Sequence, residues 1–135
     1  MGRTRAALSS GALGTCLLAL TACGGSQDAS VVAVAADFYA AVGADDGETA
    51  CALLSPTTRA EVEQSSGVSC AEGLRAEGLP SAADVEDVSV FGAMAQVRYA
   101  GETAYLTRDR DGWRVLAAGC TSRPTGPDDC QVEGG

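Results

Sequence analysis

Thr103-Ala104-Tyr105-Leu106-Thr107-Arg108-Asp109-Arg110-Asp111-Gly112-Trp113-Arg114-Val115-Leu116-Ala117-Ala118 decides the fold class of this chain. Ala104 and Leu106 alternate with Thr103, Tyr105 and Thr107. Trp113, Val115 and Ala117 alternate with Arg114, Leu116 and Ala118. A period of two sends successive side chains to opposite faces, so these are two half-buried strands. The Asp109-Arg110-Asp111-Gly112 stretch between them has the composition of a tight turn and closes a hairpin. Working back towards the N-terminus, Val97 and Tyr99 alternate with Gln96 and Arg98, and Val88 and Val90 flank Ser89. Gly92 and Gly101 stand where turns belong. Four short strands with such brief connections predict an antiparallel meander.

Before Pro80 the apolar period is helical. Val31, Val34, Phe38 and Val42 form one stripe, with Ser30 as the expected cap and Gly43 as the expected stop. Asp45 with Glu48 has capping-box spacing for a second helix, Gly47 to Leu54. Ser55-Pro56 is a cap followed by proline at the first helical position, which starts a third helix running to about Gln64. Ser69 with Glu72 repeats the box for a fourth helix, which Gly73 and Gly78 keep short and weak. Helices first and strands second is an α+β order. One face of the meander is the partner that the apolar stripe of the first helix needs.

The chain has 135 residues, one domain's length, with 46% hydrophobic and 20% charged residues, which excludes a disordered acidic tail and a multi-span membrane protein. All nine basic residues are Arg and there is no His. A net charge of −9 argues against nucleic acid, whose binding depends on neutralising phosphate. Without His there is no Ser-His-Asp or Cys-His set, and the commonest metal ligand is gone. Without Lys there is no phosphate-binding glycine loop of the usual kind. The lack of Lys, Ile and Asn together also fits a GC-rich genome.

Met1 to Arg5 carries two arginines and no acid, and Ala6 to Leu20 is mostly apolar. These are the n-region and h-region of an export signal, too short to span a bilayer. Arg3 and Arg5 are not adjacent, which disfavours a twin-arginine route. Leu20-Thr21-Ala22-Cys23 resembles a bacterial lipobox. The resemblance implies removal of residues 1–22, diacylglycerol on the Cys23 sulfur and acylation of its new amino group. Two or more acyl chains hold a protein stably at a bilayer where one does not. Residues 23–30 are then expected to be a flexible lipidated tether. The rest of the chain is acidic and is repelled by anionic headgroups. Localisation at the cell membrane, facing the extracytoplasmic side, therefore rests on the anchor.

Cys16 lies in the h-region and Cys23 is the lipid site, which leaves Cys51, Cys70, Cys120 and Cys130. Four cysteines allow three pairings. The nearest-neighbour solution is Cys51–Cys70 with Cys120–Cys130, each closing a loop worth roughly 3 kcal/mol. A zinc site is the rival, but none of the gaps has zinc-knuckle spacing, so no metal is expected.

From Val31 to Cys120 the chain resembles the nuclear-transport-factor-2-like (cystatin-like cone) superfamily. The long first helix, the Ser-Pro helix start and a meander closing in Asp111-Gly112-Trp113-Arg114-Val115 carry the likeness. More narrowly it resembles small lipoproteins of high-GC bacteria with this domain. They share an Ala-Cys-x-Leu-Leu-Ser-Pro stretch at Ala50 to Pro56, Ala-Ala-Gly-Cys at Ala117 to Cys120, and a later cysteine at Cys130. The resemblance implies a cone-like α+β domain over residues 31–120, with residues 121–135 an acidic tail pinned by a disulfide. A cone leaves an apolar mouth, here lined by Phe38, Tyr99, Tyr105, Leu106 and Trp113, the usual kind of ligand site. Trp113 reads more readily as core than as a ligand platform.

The leading expectation is a non-enzymatic, membrane-anchored binding or accessory domain. Its partners would be the bilayer through Cys23, and a small apolar ligand or a cell-envelope protein. No cofactor is expected beyond the acyl groups. Some members of the superfamily are isomerases and dehydratases, so the alternative is proton transfer by Asp37 with Tyr39, Tyr99 or Tyr105. Asp37 lies on the flank of the stripe and is expected to face solvent. Asp128, Asp129 and Glu133 lack the spacing of a calcium loop and read as a solvated tail.

Overall fold

The computed structural model of the chain describes residues 24–81 and 83–135. The signal peptide expected over residues 1–22, Cys16 and the expected lipidation site Cys23 lie outside the described residues. Four helices precede five strands: α1 (Gly24–Gly43), α2 (Gly47–Leu53), α3 (Pro56–Ser66), α4 (Cys70–Glu77), β1 (Val85–Phe91), β2 (Met94–Tyr99), β3 (Glu102–Asp109), β4 (Gly112–Thr121) and β5 (Asp129–Glu133). The α+β order is as expected.

The strands form one antiparallel sheet in the order β1-β2-β3-β4-β5, each paired with its neighbours in sequence, and the sheet is not closed. The expected count of four strands is corrected to five. The added strand lies in the supposed acidic tail. Residues 129–133 pair with β4, with Cys120 directly opposite Cys130 and Ala118 opposite the buried Val132. Val132 packs into the core, which is why this acidic segment is ordered against the sheet.

One face of the sheet is the core. Cross-strand partners share a face, and the rows Val90–Ala95–Leu106–Val115 and Val88–Val97–Ala104 run across it. The stripe of α1 lies on these rows, with Val31, Ala35 and Phe38 fully buried and Tyr39 nearly so. α1 is already helical at Gly24, so Ser30 is inside the helix rather than its cap. A helix once nucleated extends at little cost, and the Arg108 guanidinium on β3 donates to Gln27 Oε1 at 3.3 Å, tying this segment to the sheet.

Gly43 is the last residue of α1, but the reversal comes two residues later. Asp45 takes the left-handed conformation (φ +59°), while Asp46 N–H donates to Ala41 O and Asp45 N–H to Val42 O. That is a Schellman end with aspartate in the usual glycine place. Asp45 is therefore not available as the α2 cap; Asp46 accepts from Thr49 N–H instead. Ser55 and Ser69 cap α3 and α4 as expected. Gly73 does more than weaken α4. A Cβ there would come within 2.7 Å of Val62 Cγ1, so it lets α4 close on α3.

β4 carries two register shifts against β3, one at Leu116 and one near Gly119. Bulges bend a strand and free its carbonyls from the ladder. The Leu116 carbonyl accepts from the Thr58 hydroxyl at 2.8 Å and from Gly134 N–H at 2.9 Å. Ser55 N–H donates to Val115 O at 2.8 Å. The start of α3 is thus docked on the bulge.

Candidate functional site

The second bulge and the β2–β3 turn build a polar pocket at one end of the core. Tyr99 and Glu102 face each other across the two-residue turn Ala100-Gly101, whose glycine takes φ +93°. Cross-strand partners share a face, so both side chains enter the core side. Tyr39, one turn and a residue beyond Ala35 on α1, meets them from above: its ring is 5.4 Å from that of Tyr99 at 77°, an edge-to-face contact. The Tyr39 hydroxyl accepts from Gly119 N–H at 3.3 Å. Gly119 sits in the bulge with φ +63°, and a Cβ there would collide with Leu79 and Gln131. Four elements therefore converge on one carboxylate.

That carboxylate has the Tyr39 hydroxyl beside it, in a geometry too loose for a full hydrogen bond. Glu102 is 9% exposed, and neither carboxylate oxygen lies in hydrogen-bonding geometry with any described donor. The Tyr99 hydroxyl, on a residue 3% exposed, is likewise without a partner. Burial raises the Glu102 pKa above the ordinary carboxylate range, and the nearby Tyr39 hydroxyl pulls it partly back. Burial first, then the Glu102 charge, pushes the Tyr99 phenol up to about 12 and raises Tyr39 in the same way. Glu102 lines two surface depressions. One, of about 430 Å³, is bounded by Pro80, Gly101, Gly119 and Gln131; the other, of about 270 Å³, by Glu86, Arg98, Tyr99 and Ser122. The nearby arginines are engaged elsewhere: Arg98 with Asp87 at 3.5 Å and Glu86 at 3.9 Å, Arg123 with Asp129 at 2.7 Å.

Of the residues expected to line an apolar mouth, Phe38, Tyr99, Leu106 and Trp113 are buried in the core cluster. Trp113 lies under the Arg108 guanidinium, 5.4 Å from the ring centre, as a lid on the core's edge. Tyr105 is not with them. Its parity sends it to the other face, where it donates to Asp128 Oδ2 at 2.6 Å and its phenol is held up to about 12, chiefly by that bond. There it borders a depression of about 420 Å³ with Met94, Leu116 and Pro127. Asp37 is exposed on α1, on the flank away from the buried tyrosines. The structure pairs Cys51 with Cys70 and Cys120 with Cys130, the nearest-neighbour solution.

Glu102 was not among the residues singled out by sequence, and Tyr39 was named only as a partner for Asp37, not for Glu102. The signal for Glu102 is the alternation itself: counting back two from Ala104 and Leu106 puts residue 102 on the inner face. Tyr39 follows Phe38 on a helix whose buried face is wider than the valine stripe.

The chain matches no family model, no curated protein and no solved structure. Among the described residues, no helix is long and apolar enough to cross a membrane.

Proposed function

We propose that this chain is an extracytoplasmic, lipid-anchored binding domain of the cone type, which holds a small ligand at the Glu102–Tyr99 end of its sheet without transforming it. One observation carries the reading: a carboxylate and a phenol, both more than nine-tenths buried, make no hydrogen bond of full geometry and together border a depression, the carboxylate a second one. Buried polar groups are nearly always paired, and the exceptions cluster where something binds. The sequence expectation of an apolar ligand gives way to a polar one, because Phe38 and Leu106 are fully packed. The helix laid on a sheet bent by two bulges in β4 supports the cone architecture. The lipobox at Cys23 supports the anchor, and with it the location.

A second reading has an observation of its own. Glu102, not Asp37, is the carboxyl with raised proton affinity beside a tyrosine, the arrangement of a proton-transfer site. The binding reading is preferred because the two phenols beside Glu102, Tyr39 and Tyr99, are pushed by burial to hold their protons more tightly than an ordinary tyrosine, which makes them poor relay partners.

Native mass spectrometry of the full-length protein, extracted from its own membranes in mild detergent, tests the proposal. The expected spectrum starts at an acylated Cys23 and carries a small-molecule adduct that Glu102→Gln loses. An unacylated chain starting at Met1, with no adduct, defeats it.

A further inference from the structure

We infer that the Glu102–Tyr99 pocket binds the primary ammonium group of a small organic cation. The inference rests on the binding-domain reading above and names the chemistry of its ligand. Just beneath the pocket floor lie three oxygen atoms that make no hydrogen bond of full geometry, the two carboxylate oxygens of Glu102 and the hydroxyl of Tyr99, and a turn of the Glu102 side chain towards the depression would present them to a ligand. A primary ammonium carries three N–H donors and no acceptor. Each of the three bonds would remove a buried, unsatisfied polar atom, and the two to Glu102 would be charge-assisted.

Alternative occupants fit less well. A neutral alcohol supplies one donor and leaves the carboxylate charge buried. A quaternary ammonium supplies none. An anion meets Glu102 with Glu86 and Asp129 at the rims, on a chain of net charge −9. Calcium takes six to eight oxygen ligands, and among the described residues no three His, Cys, Asp or Glu side chains stand together. The chain's own cations do not fill the place: Arg98 and Arg123 are in ion pairs at the surface, about half exposed. The two depressions leave room for a short chain on the ammonium carbon.

The test is an amide NMR titration of the full-length protein in detergent with n-butylammonium, n-butanol and butyrate, three probes alike except at the head group. Screening salt is kept near physiological strength. Butylammonium is expected to shift the amides of Gly101, Glu102 and Gly119 saturably. Glu102→Gln should weaken that binding by about tenfold or more, the scale of losing one partner of a buried charge pair. Tyr99→Phe should weaken it less. Both variants must retain the wild-type amide dispersion elsewhere; Glu102→Gln removes a buried charge and is not expected to unfold the protein. Butanol binding at the same amides as tightly as butylammonium, unaffected by Glu102→Gln, overturns the ammonium assignment and leaves a polar ligand site standing. Shifts scattered over the acidic surface and indifferent to Glu102→Gln also overturn it. No response to any of the three probes removes both the assignment and the small-ligand reading.

Discussion

Burying the Glu102 carboxyl beside two tyrosines makes the protein's stability depend on pH in a direction opposite to that of a salt-bridged acid. Its pKa is higher in the folded chain than in the unfolded one, so the folded state holds the proton more tightly. The contribution is fully present below the unfolded carboxylate value, about 4.3, and is lost as pH rises through the folded value. At neutral pH the ionised group is a penalty. Glu102→Gln should therefore stabilise the protein at pH 7 by on the order of 1 kcal/mol, and the gain should vanish at acid pH. Urea unfolding at both pH values measures it; a variant weaker than wild type at pH 7 would contradict it. Thr58 is the opposite case. It is fully buried, sits 2.7 Å from Ser55 Oγ and donates to Leu116 O. Thr58→Val keeps its shape but removes the bonds to Ser55 Oγ and Leu116 O, the latter keeping only its bond from Gly134 N–H, so a loss of about 1 kcal/mol is expected in the same assay, with Thr58→Ser recovering part of it. Ser55 was legible from sequence because caps are local. Thr58 was not, because its partner is a bulge carbonyl 58 residues away that no local pattern announces.

At the scale of elements, the glycines separate close packing from mere helix ending. A Cβ on Gly47 would lie 2.8–2.9 Å from the Cβ, Cα and carbonyl of Ala71, so α2 and α4 touch through backbone that cannot step aside cheaply. Gly47→Ala should cost about 1–3 kcal/mol by overpacking. Gly43 has nothing within 4 Å and no positive φ, so Gly43→Ala should be neutral or stabilise by up to about 1 kcal/mol. Paired thermal melts of the two variants decide it; equal shifts in Tm would mean that the α2–α4 approach is looser than described. The same elements show what a sequence discloses. β2, β3 and β4 announce themselves because valine, leucine and tryptophan alternate with polar residues between glycine turns. β5 offers one apolar residue, Val132, among acids, and its pairing is fixed from outside by Cys120–Cys130 and by β4. The cap of α2 shifted from Asp45 to Asp46 because the preceding helix takes Asp45 for its own ending, a competition between neighbours that spacing alone does not resolve.

For the whole molecule, the two disulfides divide the work: one ties α2 to α4, the other ties β5 to β4. Replacing Cys120 and Cys130 by Ser should release β5 while leaving α1 on β1–β4. Hydrogen exchange should then show Gln131 and Val132 losing protection and Val97 and Leu106 keeping it; global loss of protection would mean that the sheet depends on its fifth strand. The proposed membrane anchor belongs to this scale too. Cys23→Ala should move the protein from the membrane fraction to the soluble one, and unchanged fractionation would refute the anchor. The meander itself has a kinetic consequence. Every strand pairs with its sequence neighbour, and the two disulfides span separations of only 19 and 10 residues. Short loops close fastest, and a topology of local contacts folds quickly. The native cysteine pairs are thus also those an unfolded chain meets first, so a reduced chain can oxidise straight to its final pairing without a dedicated isomerase to correct it.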